Sequence, residues 1–300
     1  MKQISVLIPT FNRDGVLREC LDSVVQQTIG FENLEIIVVD DCSDEVSTKD
    51  IVKGYIEFGV RLVENPSNIG QFRNLNRCID LGQCPFIHIL HSDDKISPGF
   101  YEKMLPIIIN DNRIGAVFSR NYYIDEFSSE IKISPQLRRN TGKVEGWLSK
   151  LYISQQIQTP SIIIRSSLFN EIGRFREDLK SCEDWDMWVR LSEVTEMWYV
   201  DEVLAYYRVH SDSTTGNVDY LGNFFYDLRK LQLEYYSRHG SSKILSLSKR
   251  AYSDYLLREL KHYSIGIKLF IDFIIYFPSV YLKLKFILIL LRHRILKSCL

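Results

Sequence analysis

Residues 86–95, F-I-H-I-L-H-S-D-D-K, are the stretch on which the reading of this chain turns. The apolar run 86–90, bounded by Pro85 and a polar cluster, predicts a short buried strand that delivers Asp93 and Asp94 at its C-terminal end. Adjacent carboxylates held close together repel, so at least one needs a cation or a shifted pKa, and hard oxygen ligands suit Mg²⁺ or Mn²⁺. On this segment alone, an ordinary Asp-Asp turn explains the residues equally well.

Working back toward the N-terminus, the pattern repeats. Residues 4–8 (I-S-V-L-I) predict a strand followed by the loop P-T-F-N-R-D-G, and residues 16–27 carry Val16, Leu17, Cys20, Leu21, Val24 and Val25 at helical spacing. Residues 34–39 (L-E-I-I-V-V) predict a second strand ending in the acidic cluster Asp40, Asp41, Asp44. A helix over 48–58, a strand over 60–64, the loop N-P-S-N-I-G-Q and a helix over 72–81 complete the approach to the opening stretch. Strands alternating with crossover-length helices indicate an α/β fold with a mostly parallel sheet covered on both faces.

Ligands in such sheets bind beyond the carboxyl ends of the strands. Loops 10–14, 40–44, 65–71 and 92–95 all fall there and are expected to converge on one crevice. Asp41 can accept a hydrogen bond from a nucleobase imide, and Arg73 can pair with phosphate oxygens; a helix cap and a solvated helix face are the plainer alternatives. Neither G-x-G-x-x-G nor G-x-x-x-x-G-K-[ST] follows the first strand, which argues against dinucleotide oxidoreductases and P-loop enzymes. Phosphates would then be neutralised through the acidic pair and a metal.

In the second half, A-V-F-S near Ile114 predicts a strand, and the polar stretch to about Lys143 is read as partly irregular loop. T-P-S-I-I-I-R over 159–165 predicts another strand, with a short helix over 166–172. In S-C-E-D-W-D-M-W-V-R-L, Trp185, Trp188, Val189 and Leu191 share a helical stripe that leaves Glu183 and Asp184 at the helix N-terminus. Carboxylates are favoured there by the helix dipole, as decoration or as an active-site base. Residues 206–212 (Y-Y-R-V-H-S-D) close the globular part, and His210 is either a packed surface residue or a metal ligand.

Composition sets bounds. The chain has 300 residues, 45% hydrophobic and 25% charged, with a formal net charge of −1, which is ordinary globular usage. The charge is uneven: residues 1–100 are rich in Asp and Glu, whereas Lys283, Lys285, Arg292, Arg294 and Lys297 face no acid. Six cysteines without a CxxC pair or regular spacing argue against a zinc site or a disulfide framework and fit a reducing compartment. The apolar run 4–8 is too short for a signal-peptide core, so a cytoplasmic location is expected. In residues 265–300, Lys268, Asp272, Pro278, Lys283 and Lys285 interrupt every apolar run short of the ~20 residues that span a bilayer. That composition suits a segment lying in the interface of an anionic membrane; a helix pair packed on the domain or on a second subunit is the alternative.

Seven motifs in order, S-V-L-I-P-T-F-N-R at 5–13, V-V-D-D-C-S at 38–43, N-x-G-x-x-x-N at 68–74, S-D-D at 92–94, G-x-F at 173–175, E-D-W-D at 183–186 and Y-R-V-H at 207–210, resemble the family-2 glycosyltransferases with the GT-A fold. The resemblance covers roughly residues 3–215. It implies a GT-A, Rossmann-like, mixed and mostly parallel sheet flanked by helices, with residues 1–112 as the nucleotide-binding half, 113–215 as the acceptor half and a helical C-terminal extension over 216–300. It also implies that Pro9, Thr10, Phe11, Asn12, Asp41, Arg73 and Asp93 bind the nucleotide-sugar, that Asp94 and His210 approach a divalent Mn or Mg ion, and that Asp184 is the general base. Many members carry a further Asp two residues before the D-D pair; here His91 stands in that place. The expected activity is inverting, hexosyl-type transfer from a nucleoside-diphosphate sugar, UDP-linked by expectation, to a glycan or lipid-linked hydroxyl in surface-polysaccharide synthesis. A homo-oligomer is compatible with this and no nucleic-acid partner is expected. The rivals are a nucleotidyltransferase, for which P-T-F-N-R-D-G is a poor triphosphate loop, and a non-catalytic nucleotide-sugar-binding protein.

Overall fold

A computed structural model describes residues 2–44, 47–209, 218–243 and 245–247. In the first third, β1 (Ile4–Thr10), α1 (Asp14–Val25), β2 (Leu34–Asp40), α2 (Ser47–Lys53), β3 (Val60–Glu64), α3 (Gln71–Leu81) and β4 (Phe86–Ile89) alternate as the periodicity predicts. Then follow β5 (Lys95–Ile96), α4 (Phe100–Asn110), β6 (Ile114–Ile124), β7 (Glu130–Ile133), β8 (Gly142–Lys143), α5 (Trp147–Ile153), β9 (Ile162–Arg165), α6 (Leu168–Ile172), α7 (Glu183–Val194), β10 (Glu196–Arg208) and α8 (Val218–His239).

These strands form one mixed sheet in the order β3-β2-β1-β4-β9-β6-β10-β5, with β7 beside β6 and β8 beside β10. The longer ladders are parallel: β1 with β2 and β4, β2 with β3, and β6 with β10. β9 runs antiparallel between β4 and β6 and joins the two halves.

Alternation along β1 shows why its residues, Ser5 and Thr10 apart, are apolar. Leu7 faces a cluster that contains Leu75 and Cys78 of α3 and Trp185 and Trp188 of α7. Ile4, Val6 and Ile8 face the opposite cluster, with Leu17 and Leu21 of α1 and Phe100 and Met104 of α4. A sheet buried on both faces needs apolar side chains at every strand position. His88, the polar residue inside β4, is buried with both ring nitrogens paired, to the Tyr101 hydroxyl at 2.8 Å and the Pro160 carbonyl at 3.0 Å. Burial pushes its pKa down to about 3, so the ring is neutral.

One region differs from expectation, and one had no reading from the sequence. Residues 116–143, read as a strand and then partly irregular loop, form the long β6, its hairpin partner β7 and β8. Between β5 and β6 the chain forms α4 despite Pro106, because Phe100, Tyr101, Met104, Leu105 and Ile108 bury one face; burial there outweighs the backbone bond that proline removes. No helix among the described residues is long and apolar enough to cross a membrane. His210 and the basic segment 265–300 lie outside the described residues.

Candidate active site

The loops after β1 and β2 are tied into one unit. The Thr10 carbonyl accepts the Asp41 N–H at 2.9 Å. Asn12, at φ +50°, donates its N–H to Ser43 Oγ at 2.9 Å, and its amide group exchanges two bonds with Asp44. Asparagine tolerates this left-handed conformation better than most residues, which suits it to the corner. Pro9 lies past Leu7, the last β1 residue paired with β4. Thr10 is buried with Oγ1 unpartnered, and the Phe11 ring is 41% exposed at the rim.

Asp41 organises the third loop. Its Oδ1 accepts from Asn65 Nδ2 at 2.7 Å and from the Ile69 N–H at 2.9 Å, and Oδ2 accepts the Gly70 N–H at 2.9 Å. Gly70 presents that N–H from φ +90°, a conformation that favours glycine. Asn65 also donates to Asn74 Oδ1, and Asn74 donates to the Val39 carbonyl. A carboxylate oxygen carries two lone pairs, so Oδ2 retains acceptor capacity for a donor entering the crevice. Arg73, in the first turn of α3, forms an exposed ion pair with Glu177 at 2.8 Å.

At the end of β4 the chain turns back, the Asp94 N–H donating to the His91 carbonyl at 3.0 Å. This brings one potential ligand atom from each of His91, Asp93 and Asp94 within 4.8 Å of one another. Asp94 is 2% exposed; its Oδ1 accepts the Arg208 N–H at 2.8 Å, while Oδ2 is buried without a hydrogen-bond partner, as is His91 Nε2. Burial and the Asp93 charge push the Asp94 carboxyl well above the usual range, and burial lowers the His91 pKa. A buried, half-unpartnered carboxylate beside a second carboxylate and an imidazole is a donor set that fits a divalent cation.

Arg208, quoted in Y-R-V-H but given no role by sequence, is the tie-bar of this corner. Its guanidinium is buried: Nε donates to the Asp93 carbonyl at 2.7 Å, one terminal nitrogen reaches the Asp125 and Glu126 carbonyls and Ser128 Oγ, and the other pairs with Glu19 at 3.1 Å. A fork of five donors suits convergence on one buried charge and several carbonyls. The only sequence signal for it is an arginine among strand residues.

Across the crevice, Glu183 and Asp184 open α7. Asp184 keeps part of its surface open yet lies deep among protein atoms, accepting the Trp185 N–H at 2.6 Å and Gln155 Nε2 at 2.7 Å. Glu183 is buried and accepts from Gln71 Nε2 at 3.3 Å, which links the start of α7 to the start of α3. Burial pushes Asp184 up to about 7, and burial plus the Asp184 charge pushes Glu183 up to about 8. Asp186, the other acid of E-D-W-D, is structural: it is 1% exposed and paired with Arg190 at 2.7 Å and Arg176 at 3.6 Å.

The residue before α7, Cys182, makes no side-chain capping bond, and within the first turn Asp184 accepts the Trp185 N–H. Asp227 of α8 pins the segment that enters the helix, its Oδ2 accepting the N–H groups of Lys180 (2.7 Å), Ser181 (2.7 Å) and Cys182 (3.2 Å). Asp227→Ala should therefore cost about 2 kcal/mol or more, as expected for charge-assisted bonds to backbone donors, and Asp227→Asn much less. Urea unfolding of the three proteins checks this; equal midpoints would exclude the anchoring role.

The structure thus brings Pro9, Thr10, Phe11, Asn12, Asp41, Asp93, Asp94 and Asp184 to the carboxyl end of the sheet and leaves Arg73 on its rim with Glu177. Sequence reasoning missed Arg208, Glu19, Gln155 and Asp227. The last two have no local signal, because they act on residues far away in the chain.

Residues 5–173 match the family described as Glycosyl transferase family 2. An uncharacterised glycosyltransferase of Rickettsia prowazekii is 30% identical over 215 residues, covering 71% of this chain and 66% of the relative, just under two thirds of its length. Among solved structures, S. aureus TarS 1–349 in complex with UDP-GlcNAc superposes with a TM-score of 0.67 at 20% identity, over 91% of this chain and 79% of that one. The mannosyltransferase PcManGT of Pyrobaculum calidifontis, in complex with GDP-Man and Mn²⁺, gives 0.57 at 16% identity, over 88% and 76%. At such identities the two structures establish the GT-A-type fold. The sequence match establishes more: this chain belongs to glycosyl transferase family 2, a family of glycosyltransferases.

Proposed function

We propose that the chain transfers a sugar, with inversion, from a nucleoside-diphosphate sugar to a hydroxyl of a glycan or lipid-linked acceptor. The observation that carries this reading is Asp184: a carboxyl raised toward neutrality by burial, aimed by Gln155, and joined through Glu183 and Gln71 to the loop that Asp41 organises. A general base is most effective when its pKa lies near the working pH.

Asp41 Oδ2 accepts the base imide, Phe11 flanks the ring, and Arg73 exchanges its exposed partner Glu177 for a phosphate at small cost, since such surface pairs contribute ~0–1 kcal/mol. The UDP-GlcNAc complex of TarS and the GDP-Man complex of PcManGT support a nucleotide-sugar donor, a UDP-sugar being favoured by the higher TM-score of the two. Asp94 would hold a divalent Mn or Mg ion, which His210 would approach, with Asp93 close to the ribose or sugar, and the chemistry that ion supplies when bound is neutralisation of charge on the leaving diphosphate. Asp184 takes the proton of the acceptor hydroxyl as its oxygen bonds to the anomeric carbon and the carbon–oxygen bond to the diphosphate breaks, the electron pair leaving with the diphosphate. One base on the face opposite the leaving group gives a single displacement, hence inversion. In this reading the acceptor meets the enzyme at the cytoplasmic face of an anionic membrane, to which the basic residues of 283–297 are attracted.

Incubation with UDP- and GDP-sugars, Mn²⁺ and glycan acceptors, followed by NMR of the product anomer, tests the reading. Inverted product supports it. Pyrophosphate release from nucleoside triphosphate would replace it with nucleotidyl transfer, and donor binding without turnover would leave a binding protein.

The base environment predicts a pH effect. The acidic limb of the kcat profile should rise through about pH 7 as the buried acidic pair ionises. Gln155→Leu removes a hydrogen bond to the carboxylate form and should move that limb upward by roughly 0.5–1 pH unit. An unmoved limb would show that Gln155 does not act on the titrating group.

A further inference from the structure

We propose that His91 is itself an inner ligand of the divalent cation, and that its imidazole makes the site one for Mn²⁺ rather than Mg²⁺. The proposal rests on the glycosyltransferase reading for the presence of a metal, and on this chain's own geometry for the ligand. His91, Asp93 and Asp94 each offer one atom inside a 4.8 Å cluster, set by the tight turn in which the Asp94 N–H returns to the His91 carbonyl. Two of these groups carry an atom with no partner: His91 Nε2 and Asp94 Oδ2 are both buried, and Asp94 is 2% exposed. A buried nitrogen and a buried carboxylate oxygen left unpaired in residues of one tight cluster are costly unless something bonds them. Direct His–Asp pairing would remove the cost, yet no such hydrogen bond exists among the described residues.

The donor set decides the ion. Mg²⁺ demands near-ideal octahedral oxygen coordination and keeps its waters, whereas imidazole suits first-row transition ions. A third carboxylate at position 91 would make the turn all-oxygen and add one negative charge beside the donor's diphosphate. With a neutral imidazole, the site gives up part of its attraction for a hard cation and gains a nitrogen bond that Mn²⁺ uses better. Held from both sides by Arg208, which bonds the Asp93 carbonyl and the Asp94 carboxylate, the turn has little freedom to swing His91 away.

The test uses the full chain with Mn²⁺ and Mn²⁺ plus UDP, read by pulsed EPR, and with Mg²⁺ as competitor. Wild type is expected to show ¹⁴N modulation from a directly bonded imidazole. His91→Asp should keep bound Mn²⁺, lose the modulation, and let Mg²⁺ displace Mn²⁺ at a concentration lower by on the order of tenfold. His210→Asn should keep the modulation, which separates the two histidines, and circular dichroism confirms that the variants are folded. Absence of bound Mn²⁺ in wild type, bound Mn²⁺ without ¹⁴N modulation, or modulation that survives in folded His91→Asp would overturn the proposal. Inverting transfer by a wild type lacking the modulation would sink the ligand and leave the function standing; modulation without turnover of any nucleotide-sugar would do the reverse.

Discussion

Asp94→Asn is expected to reduce metal-dependent turnover on the order of 10²-fold or more, the scale seen when a group that stabilises developing charge is removed. The change takes away one negative charge and little volume. The backbone bond from Arg208 survives, because the asparagine Oδ1 still accepts it at the position where Asp94 accepts at 2.8 Å. What disappears is the buried, unpartnered Oδ2, the oxygen best placed to meet a cation. Two measurements check this together: kcat across a Mn²⁺ titration, and Mn²⁺ affinity of the free protein. Activity above about a tenth of wild type at saturating Mn²⁺ would exclude the ligand role, since a charge-stabilising group is not dispensable at that level.

Asp184→Asn is expected to lower kcat by about 10²–10⁴-fold, the range for loss of a general base, while donor binding is unchanged. Calorimetry with UDP-sugar separates the two: a folded variant that no longer binds donor would show that Asp184 is a binding residue. Stability gives an independent check with a definite sign. The carboxyl titrates near 3.9 when unfolded and at about 7 in the fold, because burial disfavours its charged form. Between those values the folded state holds the extra proton, so this group's contribution to stability is present at low pH and lost as pH rises through about 7. The asparagine variant cannot lose it. In the absence of metal, the variant should melt at or near the wild-type temperature at pH 5 and above it at pH 8. A variant that melts lower at pH 8 would mean that the Trp185 and Gln155 bonds already compensate the buried charge.

The first third of this protein was legible from local pattern. Largely apolar strands of four to seven residues, broken by polar loops and amphipathic helices, predict β1 to β4 closely, because strands with two covered faces carry few polar positions to disguise them. Asp93, Asp94 and Asp184 stand out for a related reason: carboxylates next to a buried run are costly and therefore conspicuous. The second half was less legible. β6 and β10 carry tyrosines and charges at half-buried positions, and their register is interrupted by irregularities near Val200 and Val203, so period-two alternation fades. Pro106 hides α4, whose existence depends on burial against the sheet.

Sequence alone determined the fold class and singled out Asp41, Asp93, Asp94 and Asp184 as acids of the candidate site. Only the tertiary structure decided how those acids are held. Arg208 reaches Glu19 across 189 residues, Asp227 pins the entry to α7 from 45 residues beyond Cys182, and Gln155 aims Asp184 across 29 residues. Such bonds form because burial leaves polar groups no solvent to turn to, and the partner they find is whichever donor or acceptor the packed chain brings within about 3 Å. Sequence spacing carries no record of that proximity.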